Sequence, residues 1–229
     1  RSTKIKRAVI LAAGRGTRLE PLTDTCAKPL VKVCGKPIIQ WTIDMLHRNG
    51  IKEIYVITGY LSEQFDYLKN QGIVLIRNDA WDKGSNLLST RVAGKHLDDC
   101  VLIDGDTIVK RINTSVDCSG YTAVWLSEGN EWKMSFDEKT KKVIKVIADL
   151  SLKKDFYSLR CPSYWIGKQA KQYRELLKVT DPLSVNYTDD VAIRVSGLRA
   201  FIEDRKNIIE VDNMNDYNQA QIELAGESK

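Results

Sequence analysis

Paired cysteines, clustered histidines and long apolar runs are all missing from this sequence. Its five cysteines (Cys26, Cys34, Cys100, Cys118, Cys161) are odd in number and far apart, with no C-x-x-C pair, and His47 and His96 stand away from them. A disulfide framework and a zinc site are therefore not expected, whereas reduced thiols in a cytoplasmic protein are. No stretch approaches the roughly 18 apolar residues of a membrane span, and the longest candidate, residues 8–13, is strand-sized. The basic start (Arg1, Lys4, Lys6, Arg7) leads into only a short apolar segment, so no signal peptide is expected. Arg1 in the place of Met points to a trimmed or tagged start.

Nor does one sign of charge dominate. Thirty-five Lys and Arg against 30 Asp and Glu leave +5, spread along the chain without a basic block. That balance does not require nucleic acid and suits a concave site for a small polyanion equally well. An aromatic-basic motif of the RNA-binding kind is also lacking. There is no Pro/Gly/Ser linker and no repeat. With 43% hydrophobic residues over 229 positions, one folded domain spanning 1–229 is expected, its halves meeting near residue 106 (1–106 and 107–229).

What is present is an alternation of strand and helix patterns. Residues 8–12 form a continuous apolar run, as in a strand buried on both faces. Pro37 opens a helix with Ile39, Ile43 and Leu46 on one face, and Gly50 ends it. Further strands are predicted at 54–58, 73–76 and 101–103, with helices over 62–70, capped by Ser62, and 86–97. This is the pattern of right-handed βαβ units and a mainly parallel, Rossmann-like sheet in an α/β protein. Beyond Asp106 the rhythm changes to short strands at 122–126, 133–136, 143–147 and 158–166, which predict a small antiparallel β insertion. A helix over 168–179, a helical turn over 189–195, late strands at 201–203 and 208–211, and a final helix started by Asn213 complete the reading.

The most informative stretch is Leu11-Ala12-Ala13-Gly14-Arg15-Gly16-Thr17-Arg18-Leu19, directly after the first strand. Two glycines let backbone N–H groups close around phosphate oxygens. Arg18 can neutralise a polyphosphate, and Thr17 adds a hydroxyl. Leu19 stands where a dinucleotide fingerprint needs its third glycine, and no G-K-[S/T] follows, so the two common phosphate loops are excluded. Downstream lie Pro21-Leu22-Thr23, Lys28-Pro29-Leu30 and Gly35-Lys36-Pro37-Ile38-Ile39.

Together these segments resemble the nucleotidyltransferases that make NDP-sugars and CDP-alcohols. Within that superfamily the chain is most similar to the bacterial CTP:phosphocholine and phosphonate cytidylyltransferases. Gly59-Tyr60-Leu61, Asn130-Glu131-Trp132, Ser163-Tyr164-Trp165, Tyr187-x-Asp189 and Ile209-Glu210-Val211-Asp212 carry this likeness. One departure is Ala27, which stands where the family usually has proline before Lys28.

The resemblance implies attack of a substrate phosphate oxygen on the α-phosphorus of a nucleoside triphosphate, with loss of pyrophosphate and no enzyme nucleophile. Two polyanions must meet, so cations and a metal are needed. Arg18 and Lys28 are the implied catalytic cations, and Mg2+ the implied cofactor, held by Asp106 with Asp104 in support. Asp189 is the favoured second ligand, Asp190 remaining an alternative. Leu11, Ala12, Ala13, Gly14, Gly16, Thr17, Gly59, Tyr60, Asn86 and Ser89 are the implied nucleotide-binding set. Glu131, Trp132, Trp165, Tyr187 and Glu210, with Asp212, are candidates for holding the acceptor's cationic head, since aromatic faces and acids suit such a group. Thr188 stands where phosphocholine enzymes often carry tryptophan.

The implied partners are CTP and a small amine-bearing phosphate or phosphonate, phosphocholine and 2-aminoethylphosphonate both remaining open. Neither a nucleic acid nor a membrane is expected, and the chain is expected to act as a monomer or homodimer. A sugar-1-phosphate nucleotidyltransferase and a non-catalytic nucleotide-sensing relative are the competing readings.

Overall fold

The computed structural model describes residues 1–227. Strand β1 (Arg7–Ala12) lies at the centre of a nine-stranded sheet. Its apolar run explains the position, because a strand buried on both faces has no polar face to give to water. Helix α1 (Ile38–Arg48) follows and buries Ile38, Ile39, Trp41, Ile43, Met45 and Leu46 along one side. Each such side chain contributes about 1.5–3 kcal/mol by leaving water. Strand β2 (Glu53–Thr58) returns parallel to β1, and β3 (Val74–Arg77) parallel to β2.

Between β2 and β3 the expected α-helix is a 3-10 winding over Ser62–Gln71, and Ser62 gives no side-chain cap. Ser62, Phe65 and Leu68 are the buried residues of this winding. A spacing of three is the period at which 3-10 side chains eclipse, so the tighter winding sends all three into the core.

Helix α2 (Leu87–Ala93) is shorter than expected and passes into a 3-10 turn, Gly94–Leu97. Strand β4 (Cys100–Asp104) then pairs parallel to β1 on its other side. Beyond it come β5 (Thr107–Val109), β6 (Gly120–Gly129), β7 (Lys133–Phe136), β8 (Val143–Ile147) and the long β9 (Lys153–Trp165). The β9 strand starts well before residue 158 because it forms an antiparallel ladder with the whole of β6, from Tyr164 opposite Gly120 to Lys153 opposite Gly129. Its carboxyl half also pairs antiparallel with β4. One strand therefore joins the antiparallel insertion to the parallel sheet.

Helix α3 (Gly167–Val179), the single turn α4 (Asp189–Ala192), and strands β10 (Arg199–Ile202) and β11 (Ile208–Glu210) complete this half. Helix α5 (Met214–Glu223) is capped by Asn213, whose side chain accepts from the Asp216 N–H as expected. The sheet order is β8-β7-β9-β4-β1-β2-β3, with β6 on β9 and β10 on β6. Among the described residues no helix is long and apolar enough to cross a membrane.

Candidate active site

Strands β1, β2 and β4 run parallel, so their carboxyl ends lie on one side of the sheet, where open α/β folds place ligands. A cleft of about 660 Å3 opens there. Leu11, Ala12, Ala13, Gly14, Gly16, Thr17 and Arg18 line it from the loop after β1, and Asp104 and Asp106 from the end of β4. Gly16 adopts φ +66, and a Cβ there would lie 2.8 Å from the Lys28 Cβ. Only glycine lets this loop turn back so closely over the lysine stem.

Lys28 is buried in a 3-10 turn, Lys28–Leu30. Its Nζ donates to Asp106 at 2.9 Å and to Asp212 at 3.0 Å. Burial alone would lower the ammonium's pKa, but the two carboxylates outweigh it and raise the value. Asp212 is the converse case: burial would raise its carboxyl, and Lys28 holds it below the ordinary range. The Arg18 guanidinium, largely exposed, reaches Asp212 at 3.5 Å.

Ala27 sits at φ −58, ψ 134, a backbone that proline also adopts. Its N–H donates to Gln64 Oε1 at 2.8 Å, a bond proline could not make. The departure from the family pattern therefore keeps the path of the chain into Lys28.

Asp212 reaches Asp106 through pairing further back along the chain. Strand β11 pairs antiparallel with β5, placing Glu210 opposite Thr107, and the Val211 N–H donates to the Asp106 carbonyl at 3.0 Å. Thr42 on α1 anchors the same ribbon, donating to the Thr107 carbonyl and accepting from the Val109 N–H, both at 3.1 Å.

The acid that shares the Lys28 ammonium with Asp106 is Asp212, which the expected metal pair of Asp106 and Asp189 did not include. Asp189 lines the same cleft, and its Oδ1 accepts from the Tyr121 hydroxyl at 2.5 Å. Burial and the Asp189 charge push Asp104 well above the usual carboxylate range. Asp190 turns to its own loop, accepting from the Asn186 and Tyr187 N–H groups at 3.2 and 2.9 Å. The alternation Glu210-Val211-Asp212 was the available signal, since period two in a strand puts both acids on one face.

Asn86 and Ser89 also line the cleft. Asn86 Oδ1 accepts from the Thr188 N–H at 2.7 Å, and Ser89 Oγ accepts from Asn78 at 3.0 Å. Gly59 and Tyr60 stand behind the wall, in correction of their expected place at the nucleotide. A Cβ on Gly59 would lie 2.5 Å from the Cβ of Trp81, and it is Trp81 that faces the cleft. Tyr60 braces the glycine loop: its N–H donates to the Ala13 carbonyl at 3.0 Å, its hydroxyl to the Thr23 carbonyl at 2.7 Å, and Arg15 stacks on its ring at 4.5 Å.

At the other end, Glu131, Trp132, Tyr187 and Glu210, the acceptor candidates, line the cleft. Trp132 and Tyr187 meet edge to face, with centroids 5.8 Å apart. Trp165 does not join them, which corrects its assignment as an acceptor wall. It lies fully buried, its ring 4.2 Å from that of Tyr173 and its indole N–H donating to Ser163 at 2.9 Å. Thr188 is buried too and hydrogen-bonds Tyr173. Arg160 of β9, which no sequence motif marks, also lines the cleft, its side chain only 6% exposed. Its Nη2 donates to both oxygens of Glu131 at 2.7 Å. Burial lifts the Glu210 carboxyl to about 7, with Arg160 pulling the other way.

Two carboxylates closing on one cation make a hard, oxygen-donor site. Among the described residues no three His, Cys, Asp or Glu side chains converge as a complete metal cage. Mg2+ does not need one, because it keeps waters and takes phosphate oxygens alongside one or two carboxylates. Asp106 and Asp212, already gathered around the Lys28 ammonium, fit it.

The description of the family model matching residues 7–78 is nucleotidyl transferase. The choline-phosphate cytidylyltransferase of Streptococcus pneumoniae (strain ATCC BAA-255 / R6) is 30% identical, the match covering 97% of this chain and all of the relative. The 2-aminoethylphosphonate cytidylyltransferase of Lancefieldella rimae is 35% identical over 72% of this chain and 69% of its own. A solved structure of the CTP:phosphocholine cytidylyltransferase from Streptococcus pneumoniae superposes with a TM-score of 0.88 at 31% identity, covering 97% of this chain and all of the other.

Proposed function

The chain belongs to the nucleotidyl transferase family, among its cytidylyltransferases, and from that membership we propose that it transfers CMP from CTP to a small amine-bearing phosphate or phosphonate, releasing pyrophosphate. The observation that carries this reading is the pairing of Lys28 with Asp106 and Asp212 beneath the glycine loop. Cations and carboxylates meet there at the place where phosphates of opposite origin must be joined.

The protein's own groups divide the work. The backbone N–H groups of the loop through Gly14 and Gly16 receive triphosphate oxygens, and Arg18 neutralises the departing pyrophosphate. Lys28 stabilises the charge that develops on the α-phosphoryl oxygens. Asp106 and Asp212 would hold Mg2+, which when bound screens the two phosphate groups from each other and polarises the phosphorus under attack. The acceptor oxygen is itself the nucleophile, so no residue needs to form a covalent intermediate. Trp132 and Tyr187 supply apolar faces at the acceptor end, and Glu131 and Glu210 supply acids. A cytoplasmic location is part of the proposal, five unbridged cysteines and the need for CTP favouring it.

Pyrophosphate release tests the reading. CTP and UTP are each combined with phosphocholine, phosphoethanolamine, 2-aminoethylphosphonate and glucose 1-phosphate, with Mg2+ or with chelator. Release is expected only with Mg2+, CTP and an amine-bearing acceptor. Preferential turnover of glucose 1-phosphate would move the chain to the sugar-nucleotide enzymes, and no release with any acceptor would remove the catalytic reading.

A further inference from the structure

We propose that Arg160 sets acceptor selectivity, turning the head-group end of the cleft away from quaternary ammonium and towards a primary ammonium that donates hydrogen bonds. The inference rests on the cytidylyltransferase reading above and narrows its acceptor class.

Arg160 projects from β9 into the cleft wall, held by a bond from its Nε to Ser158 Oγ at 3.0 Å. The Nη2 donates to both Glu131 oxygens, so that carboxylate is matched by a full and fixed positive charge. The Nη1 lies 3.7 Å from Glu210 Oε2, too far for a hydrogen bond. Of the acids expected to receive a cationic head, Glu131 is thus already occupied and Glu210 stands beside a guanidinium.

A quaternary ammonium has no N–H donor. It is held by aromatic faces and by an open negative field, and a buried guanidinium in the same wall cancels part of that field. The aromatic walls are also reduced, since Trp132 and Tyr187 remain and Trp165 is lost to the core. Tyr187 is itself 41% exposed.

A primary ammonium meets the same guanidinium but has three N–H donors. Among the described residues the carboxyl oxygens of Glu210 and Asp104 receive no side-chain or backbone hydrogen bond, and both residues line the cleft. Direct bonds to such oxygens bring the charge closer than a methyl-covered nitrogen can approach. They compensate for the guanidinium in a way that dispersed aromatic contact does not.

The test is a methylation series. Phosphoethanolamine, its N-methyl and N,N-dimethyl forms and phosphocholine differ only in the groups on nitrogen. Values of kcat/KM with CTP and Mg2+, and affinities by calorimetry with a non-hydrolysable CTP analogue, are measured for each. For the native protein both quantities are expected to fall along the series, at least ten-fold from first to last. Arg160→Gln is expected to narrow that ratio five-fold or more, and Arg160→Lys to preserve it; a purely structural role for Arg160 would lower all four acceptors alike.

Equal or better use of phosphocholine by the native protein overturns the assignment, as does an Arg160→Gln ratio equal to the native one. Should Arg160→Gln fail to fold, the native series still decides. If no acceptor gives pyrophosphate, the catalytic reading falls by itself and the calorimetric order still tests Arg160.

Discussion

At the phosphate end of the cleft, the loop after β1 and the turn carrying Lys28 come from one continuous stretch, and each residue's task follows from its neighbours. Gly16 clears the Lys28 stem, Tyr60 braces the loop from behind, and Lys28 reaches the acid that follows β4. At the head-group end, Glu131, Arg160, Tyr187 and Glu210 come from four separate parts of the chain, Glu131 and Arg160 brought to the cleft by the ladders of β9 and Glu210 by the pairing of β11 with β5. The first region is a local backbone device with charges attached. The second is a constellation that a few side chains can rewrite while the sheet stays as it is. On the proposed reading, the chemistry is fixed at one end and acceptor choice is free to change at the other.

The largest expected effect separates the two ends by removing the shared cation. Lys28→Met should lower kcat/KM on the order of 1,000-fold for every acceptor alike, because a charge stabilising the phosphoryl group is lost. It also leaves Asp106 and Asp212 facing each other without a counter-charge. Added Mg2+ should therefore raise the melting temperature of the variant more than that of the native protein. A loss confined to one acceptor would place Lys28 at the wrong end of the cleft.

Two tryptophans sharpen the contrast between wall and core. Trp165→Ala should cost about 3–5 kcal/mol of stability, as expected for a fully buried indole. Trp132→Ala should leave the melting temperature nearly unchanged and raise the acceptor KM about ten-fold, the loss of one aromatic face beside a cation. If Trp132 proved the stability residue and Trp165 the KM residue, the division between cleft and core would be reversed.

The glycine loop can be divided in the same way. At Gly16 a methyl group meets Lys28 in a backbone conformation that L residues rarely adopt, whereas at Gly14 nothing lies within 4 Å of the added atom. Gly16→Ala should displace Lys28 and lower kcat roughly 100-fold, the scale of an ångström-sized misplacement, with a clear drop in melting temperature. Gly14→Ala should keep the native melting temperature and weaken CTP binding, because its methyl group would project into the open space that the proposed function gives to phosphate. Equal melting temperatures for the two variants would contradict the loop geometry.

Much of this is legible in the amino-acid sequence. The alternation of apolar runs and amphipathic helices predicted the parallel core, and the family resemblance singled out Gly14, Gly16, Arg18 and Lys28, which line one cleft. Harder to read was anything decided by pairing between distant segments. Asp212 could be named as an acid but not as the partner of Asp106, since that depends on the β5–β11 ribbon. Trp165 follows Ser163 and Tyr164 on the same strand, and inward or outward placement turns on register alone. Arg160 carries no motif at all; its meaning comes from Glu131, brought beside it by the antiparallel insertion.

Ala27 offers the smallest effect and the finest test of the phosphate end. Proline at this position would fit the observed φ of −58 and restrict the unfolded chain, a gain of a few tenths to one kcal/mol. It would also delete the N–H that Gln64 accepts, a loss of similar size in a partly buried bond. The two nearly cancel, so Ala27→Pro should change stability by less than about 1 kcal/mol in either direction. Activity should be unaltered, because the path of the chain into Lys28 is the same for both residues. A large fall in kcat would mean that the Gln64 bond, rather than the backbone angle, aims the lysine, and Gln64→Ala would then reproduce the defect in the native background.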